Sequence, residues 1–287
     1  MSRNGVETMR RTASSLPERQ ANQSGKPSPK HRTFAVFARR LIILAVIASL
    51  LAAGWFALLR AGKSMVDEQE LAPFLAAGAA SDGHAAGHAE ESLMTVRIDD
   101  MPDYVWQAFV AIEDHRFFRH PGVDIRSLAR SVWVNAIANE TVQGGSTITM
   151  QLARNVFLTQ DKTLVRKLKE MAIALYLERT YTKEQLLTMY LNAIYFGHGQ
   201  YGIEAAADYY FGKTANGHDP HKTVMRLSEA ALLAGMLKAP EHYSPLKDWN
   251  RSKERQSVVL ERMERLGMIT EEEKLAAMQE KIELTRK

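Results

Sequence analysis

Cysteine is absent from the 287 residues. No disulfide framework and no thiolate metal site is open to this chain, which suits a protein kept out of redox chemistry. Basic charge is scarce where a nucleic-acid binder would need it. The whole chain is +4, but residues 1–40 hold nine Lys/Arg against Glu7 and Glu18, a net of +7, which leaves −3 for residues 41–287. A nucleic-acid-binding domain carries its basic stripe on the folded part, so nucleic acid is not expected as a partner.

Long apolar runs are lacking too, with one exception. Leu41–Leu59, LIILAVIASLLAAGWFALL, is 19 residues without a charge. As a helix it spans roughly 28 Å, against a hydrocarbon core of ~30 Å. Trp55 near its far end suits a membrane interface. The Arg39-Arg40 boundary argues against a buried core helix, and the long charged region before it favours an uncleaved signal anchor over a cleaved signal peptide. The positive-inside rule then puts residues 1–40 in the cytoplasm and everything after Arg60 outside. The tail, with Pro27 and Pro29 among Ser, Gln, Asn and Arg, is expected to be disordered and to suit an anionic inner leaflet.

Residues 60–94 contain AAGAASDGHAAGHAEE and read as a juxtamembrane linker, with room for a short helix near Val66–Leu75. His84 and His88 have the i, i+4 spacing of a helical metal pair, but Gly83 and Gly87 make that helix poor and favour a solvated linker. The folded domain is expected over residues 95–287.

Pro102-Asp103 is a helix start signal, and Val105, Phe109 and Ile112 recur at helical spacing, predicting a helix over Tyr104–Asp114. It ends in AIEDHRFFRHPG, Ala111–Gly122. Two readings of Glu113-Asp114 stand side by side. One is a solvated last turn, although carboxylates are disfavoured at that end of the helix dipole. The other is a general base at a cleft, its pKa raised by apolar neighbours such as Phe117. Downstream, GGSTITMQLARN (Gly144–Asn155) reads as a turn into a helix. Ser146 or Thr147 would be the N-cap, with free N–H groups able to face an anion. A capped helix without a ligand explains the same residues. Gln151 lies one turn beyond Thr147 on the same face. Lys162–Tyr181 reads as an amphipathic helix with a Leu164, Leu168, Met171, Leu175 stripe. Arg166 and Glu170 sit i, i+4 on another face, where a surface salt bridge would account for them. Val123–Val142, with Ile125, Leu128, Trp133, Val134 and Ile137, is either a core helix or a segment apolar enough to dip into lipid.

EDHRFFRHPG resembles the first signature, E-D-x-x-F-x-x-H-x-G, of glycosyltransferase family 51, the peptidoglycan glycosyltransferases. Gly144–Asn155 is similar to the second, G-x-S-T-I-T-x-Q, and Arg166–Glu170 (RKLKE) to the third, R-K-x-x-E. Lys183–Lys213 and Leu227–Pro245 are similar to the fourth and fifth. Five ordered motifs cover roughly Thr95 to Met278. The resemblance implies a mainly α, lysozyme-like fold with a large and a small lobe. It implies polymerisation of lipid II: the growing strand on undecaprenyl pyrophosphate is the donor, and the acceptor's 4-hydroxyl attacks the anomeric carbon with inversion to give a β-1,4 bond.

For that reaction Glu113 is expected as general base and Glu170 as second catalytic glutamate, 57 residues on. Asp114 would orient neighbouring groups, and Phe117 and His120 would shape the acceptor end. Ser146, Thr147 and Gln151 would supply hydrogen bonds. Arg154, Arg166 and Lys167 would supply charge for the pyrophosphate, and Asn192 a supporting polar group. The resemblance implies no fixed cofactor, although the pyrophosphate leaves room for a divalent cation, Mg2+ or Mn2+. Two positions depart from the family pattern: Met150 stands where many members have a glutamine, and Thr188 where an acid is expected. The implied partners are lipid II, the growing strand, the membrane and other cell-wall synthesis proteins. The implied place is the bacterial inner membrane, with a single pass and the catalytic domain periplasmic. No S-x-x-K transpeptidase signature follows the domain, which points to a monofunctional polymerase. A lytic glycosidase on the same fold and a non-catalytic scaffold are the competing readings.

Overall fold

A computed structural model describes residues 29–75, 94–138, 144–159, 161 and 163–285, and for residues 29–36 and 38 the backbone only. Among the described residues the architecture is mainly α, as expected, with no strand beyond isolated bridges at Tyr195–Tyr201 and Thr214–Val224. The helices are α1 (Pro29–Ser64), α2 (Ala72–Leu75), α3 (Asp103–Glu113), α4 (Ile125–Ala138), α5 (Ile148–Phe157), α6 (Leu164–Thr180), α7 (Lys183–Ala193), α8 (Ile203–Phe211), α9 (Leu227–Met236), α10 (Trp249–Arg265) and α11 (Glu271–Gln279).

The chain divides into two compact units, residues 1–52 and 53–287. In the first, the described residues are helix. Arg39–Ser64 is long and apolar enough to cross a membrane. The boundary expected at residue 40 is corrected: α1 begins at Pro29, so residues 29–40 are helical rather than disordered. Proline tolerates a first helical turn because its missing N–H would have no partner there. Residues 1–28 lie outside the described residues.

The linker expected over 60–94 is corrected as well. Residues 65–75 fold onto the domain as a 3-10 turn at Glu68–Glu70 followed by α2. Leu71 is wholly buried in the core, and Met65, Val66, Phe74 and Leu75 pack against that core. The His84/His88 pair falls outside the described residues.

Two helix groups carry the core of the second unit. α3, α9 and α10 pack against one another, and α5 packs against α6 and α7. α9 is buried at nearly every position, which suits its run of Ala and Leu. α5, α6 and α7 are each started by a threonine (Thr147, Thr163, Thr182) whose hydroxyl accepts a first-turn N–H. The two departures from the family pattern have structural roles. Met150 is wholly buried on α5, and Thr188 accepts the Ile98 N–H at 3.2 Å, which ties α7 to the segment before α3.

α4 is not a core helix. Ser131 is its one fully buried residue, while Ile125, Val132, Trp133 and Ile137 are 63–76% exposed. The stripe expected along α6 is only half covered: Leu175 is buried and Met171 half-buried, whereas Leu164 and Leu168 are 86% and 58% exposed.

Candidate active site

α3 delivers Glu113 as its last residue, and Asp114 ends the helix in a non-helical conformation. The two carboxylates therefore diverge. Asp114 turns inward, where its Oδ2 accepts from His120 Nε2 at 2.9 Å and from the Ile148 backbone N–H at 3.2 Å. That N–H belongs to the first turn of α5 and has no partner within the helix, so a carboxylate there is favoured. Asp114 and His120 are both buried. Together they fasten the segment after α3 to the start of α5.

Thr147 fastens the same joint from the other side, donating to the Gly122 carbonyl at 2.5 Å. Gly145, two residues earlier, packs onto α4: a Cβ there would meet Leu128 Cα at 3.2 Å and overlap the Ser131 hydroxyl.

Glu113 stays half-buried and takes a different partner. Its Oε2 accepts from Gln151 Nε2 at 2.7 Å, and Gln151 Oε1 accepts from Tyr190 OH at 3.3 Å. Burial pushes the Glu113 carboxyl above the usual glutamate range. The Gln151 hydrogen bond and the charges of Arg255 and Arg154 oppose that shift, and Asp114 adds to it. Substituting Gln151→Ala removes the first of those opposing interactions, so the Glu113 pKa rises further. A base works ionised, so the acid limb of a pH–rate profile in kcat/KM is expected to move to higher pH, with a several-fold loss at neutral pH that recovers in alkali. An unmoved limb would show that Gln151 does not tune Glu113.

Glu170 is 1% exposed on α6 and is fully paired. Its Oε1 accepts from Arg166 Nη1, and its Oε2 from Lys167 Nζ at 2.8 Å. Lys167 Nζ also donates to Ser146 Oγ at 2.6 Å. The segment 146–151 thus bonds one carboxylate cluster at Ser146 and the other at Gln151. Arg154 lies one turn further along α5, its buried Nε without a hydrogen-bond acceptor.

The structure brings together Glu113, Gln151, Arg154, Ser146, Lys167, Arg166 and Glu170, linked by contacts or by charge. It places three other expected site residues in structural roles. Phe117 is wholly buried under Lys183, whose Nζ lies 4.3 Å from the ring centroid. Thr147 is the α5 cap. Asn192, 1% exposed, donates to the Phe74 and Val96 carbonyls and accepts the Val96 N–H, so it serves the fold before α3 and makes none of the bonds to either glutamate. Arg255 was missed. It sits on α10 over the Tyr243 ring and bears on Glu113 by charge alone. A lone arginine in an amphipathic helix gives no sequence signal of that.

Among the described residues no three His, Cys, Asp or Glu side chains come together as a metal site. Glu170 already carries two cations, Arg166 and Lys167.

The segment that starts α5 thus links a half-buried carboxylate, Glu113, to a buried one, Glu170, that carries two cations. The transglycosylase family model matches residues 82–264, and the chain belongs to that family. It is 41% identical to penicillin-binding protein 1F of Bacillus subtilis (strain 168) over 83% of this chain and 32% of the relative. It is 48% identical to penicillin-binding protein 1A of Aquifex aeolicus (strain VF5) over 62% and 24%. Penicillin-binding protein 1A of Escherichia coli (strain K12) is 42% identical over 66% and 21%. The chain therefore spans between about a fifth and a third of the length of these relatives.

Proposed function

We propose that the chain is a membrane-anchored peptidoglycan glycosyltransferase that polymerises lipid II. The observation that carries the reading is the bridging by residues 146–151 of a carboxylate with raised pKa and a buried carboxylate with its two cations. A sugar hydroxyl is a weak nucleophile and needs a base as it attacks. Glu113 takes the proton from the acceptor's 4-hydroxyl while that oxygen bonds to the donor's anomeric carbon. The bond from that carbon to the pyrophosphate breaks, and undecaprenyl pyrophosphate leaves with the electron pair. Attack opposite the leaving group inverts the centre and gives the β-1,4 link.

Charge builds on the leaving pyrophosphate, and fixed cations aimed at it lower the barrier. Arg166 and Lys167 supply them, held in place by Glu170. In this reading Glu170 orients cations and takes no part in the proton transfer. The orphaned Arg154 Nε and the Ser146 hydroxyl are further donors for the same anion.

The polyprenyl tails explain the apolar surfaces. Extracting such a tail from lipid costs ~0.8 kcal/mol per CH2, so an enzyme at the interface avoids most of that cost. α1 anchors the chain in the bacterial cytoplasmic membrane as a single pass, with its basic end inside and the catalytic unit outside. The exposed Ile125, Trp133 and Ile137 of α4 dip into the outer leaflet.

The test is to incubate detergent-solubilised protein with labelled lipid II and resolve the products on a gel. Glycan strands are the expected result. Cleavage of preformed glycan instead would make it a lytic enzyme, and intact lipid II with folded protein would make it a scaffold.

A further inference from the structure

The helix that carries Glu170 is backed by the end of α1. Trp55 lies against Arg179, with the guanidinium 5.7 Å from the ring centroid. Seven residues further along α1, Gly62 is buried against Ala172, seven residues back along α6. The two helices therefore run antiparallel, with Trp55, Leu59 and Gly62 on one face of α1 and Ala172, Tyr176 and Arg179 on one face of α6. A Cβ on Gly62 would overlap the Ala172 carbonyl oxygen. It would also come within 2.7 Å of the Ala172 carbonyl carbon and 3.0 Å of Tyr176 Cβ. Glycine is what lets the backbones touch. Just past the contact, Glu68 accepts from Tyr176 OH at 2.8 Å, a second tie to the same face.

Ala172 follows Glu170 by two residues, about 200° around the helix at ~3.6 residues per turn. α1 thus presses on the face of α6 opposite the Glu170 carboxylate. On the near side Glu170, through Lys167, reaches Ser146. α5 packs against the same helix, while Leu164, Val165 and Leu168 toward its start are uncovered.

We propose that Gly62 is a positioning residue for the reaction: the last turns of the membrane helix set where α6 holds Glu170, Arg166 and Lys167. The idea rests on the glycosyltransferase reading for its activity arm. Any larger residue at 62 must separate the helices by about 1 Å to restore the ~3.5–4.0 Å spacing of carbons in contact. A misplacement of that size in a catalytic group costs up to about a hundredfold in rate.

Gly54 supplies the matched control, because a Cβ there meets nothing within 4 Å. The experiment compares the full chain with Gly62→Ala, Gly62→Leu and Gly54→Leu in detergent. It measures kcat/KM on lipid II, affinity for inorganic pyrophosphate, and melting temperature. The expected result is a graded loss of kcat/KM at position 62, reaching about 10- to 100-fold for leucine, with pyrophosphate affinity weakened about tenfold and Gly54→Leu unchanged. Parental activity and pyrophosphate affinity in a folded Gly62→Leu overturn the proposal, as does an equal loss in Gly54→Leu. If the leucine variant does not fold, the folded alanine variant decides: parental values overturn the proposal and a loss in both supports it. If the parent binds pyrophosphate but makes no polymer, the functional reading fails while pyrophosphate affinity still tests the positioning.

Discussion

Glu113→Gln is expected to lose about 10²- to 10⁴-fold in strand synthesis, the usual contribution of a general base, and to melt at a higher temperature than the parent at neutral pH. The second effect follows from the raised pKa of the half-buried carboxyl. In the unfolded chain Glu113 ionises at its ordinary value, so as pH rises the unfolded state gives up its proton first. The parent's folded state therefore loses stability as pH climbs from the unfolded pKa to the folded one, and the loss is complete above the latter. A neutral glutamine has no such loss. The stability gain should grow as pH rises through the raised folded pKa, so it is present at pH 8 and vanishes below the usual glutamate range. Gln151 can turn its amide to present oxygen to the new side chain, because Tyr190 OH can accept as well as donate. Melting curves at both pH values, beside a lipid II gel, check the two effects together. Equal melting temperatures at pH 8 would mean that burial does not penalise the Glu113 charge.

Glu170→Ala is expected to be the most damaging change to the fold and to cost activity as well. Removing one partner of a buried ion pair costs about 3–5 kcal/mol, and the low end applies because Arg166 and Lys167 are partly open to solvent. Synthesis should fall by about 10²- to 10³-fold, the size of a lost oxyanion donor, because both cations lose their aim. The role assigned to Glu170 makes a sharper demand. If it acts through the cations, Lys167→Ala and Glu170→Ala should be strongly non-additive, the double variant being little worse than Glu170→Ala alone. Additive losses in kcat/KM would instead put Glu170 in direct contact with substrate.

Much of this was legible in the chain because it depends on neighbours in sequence. The helix expected over Tyr104–Asp114 appears as Asp103–Glu113, since periodicity and a start signal are local. Glu113, Gln151 and the Arg166–Glu170 block came from ordered motifs. The rest needed tertiary partners. Phe117 reads equally as cleft wall or core until Lys183 is seen to cover it. Leu71 gives no hint that it anchors a supposed linker. The Leu164–Leu175 stripe has core periodicity, but periodicity marks a face without saying what covers it. Arg255 reaches Glu113 only because α10 and α3 pack together, which no local pattern encodes.

The uncovered side chains of α4 and α6 bear on how this protein can be handled at the bench. Cutting the chain after Ser64 would remove α1 but leave Ile125, Trp133, Ile137, Leu164 and Leu168 bare. Such a fragment is not a water-soluble enzyme in waiting. It would collect a detergent belt or stick to its own copies, so its apparent mass on a sizing column would depend on the surfactant and overstate its true size.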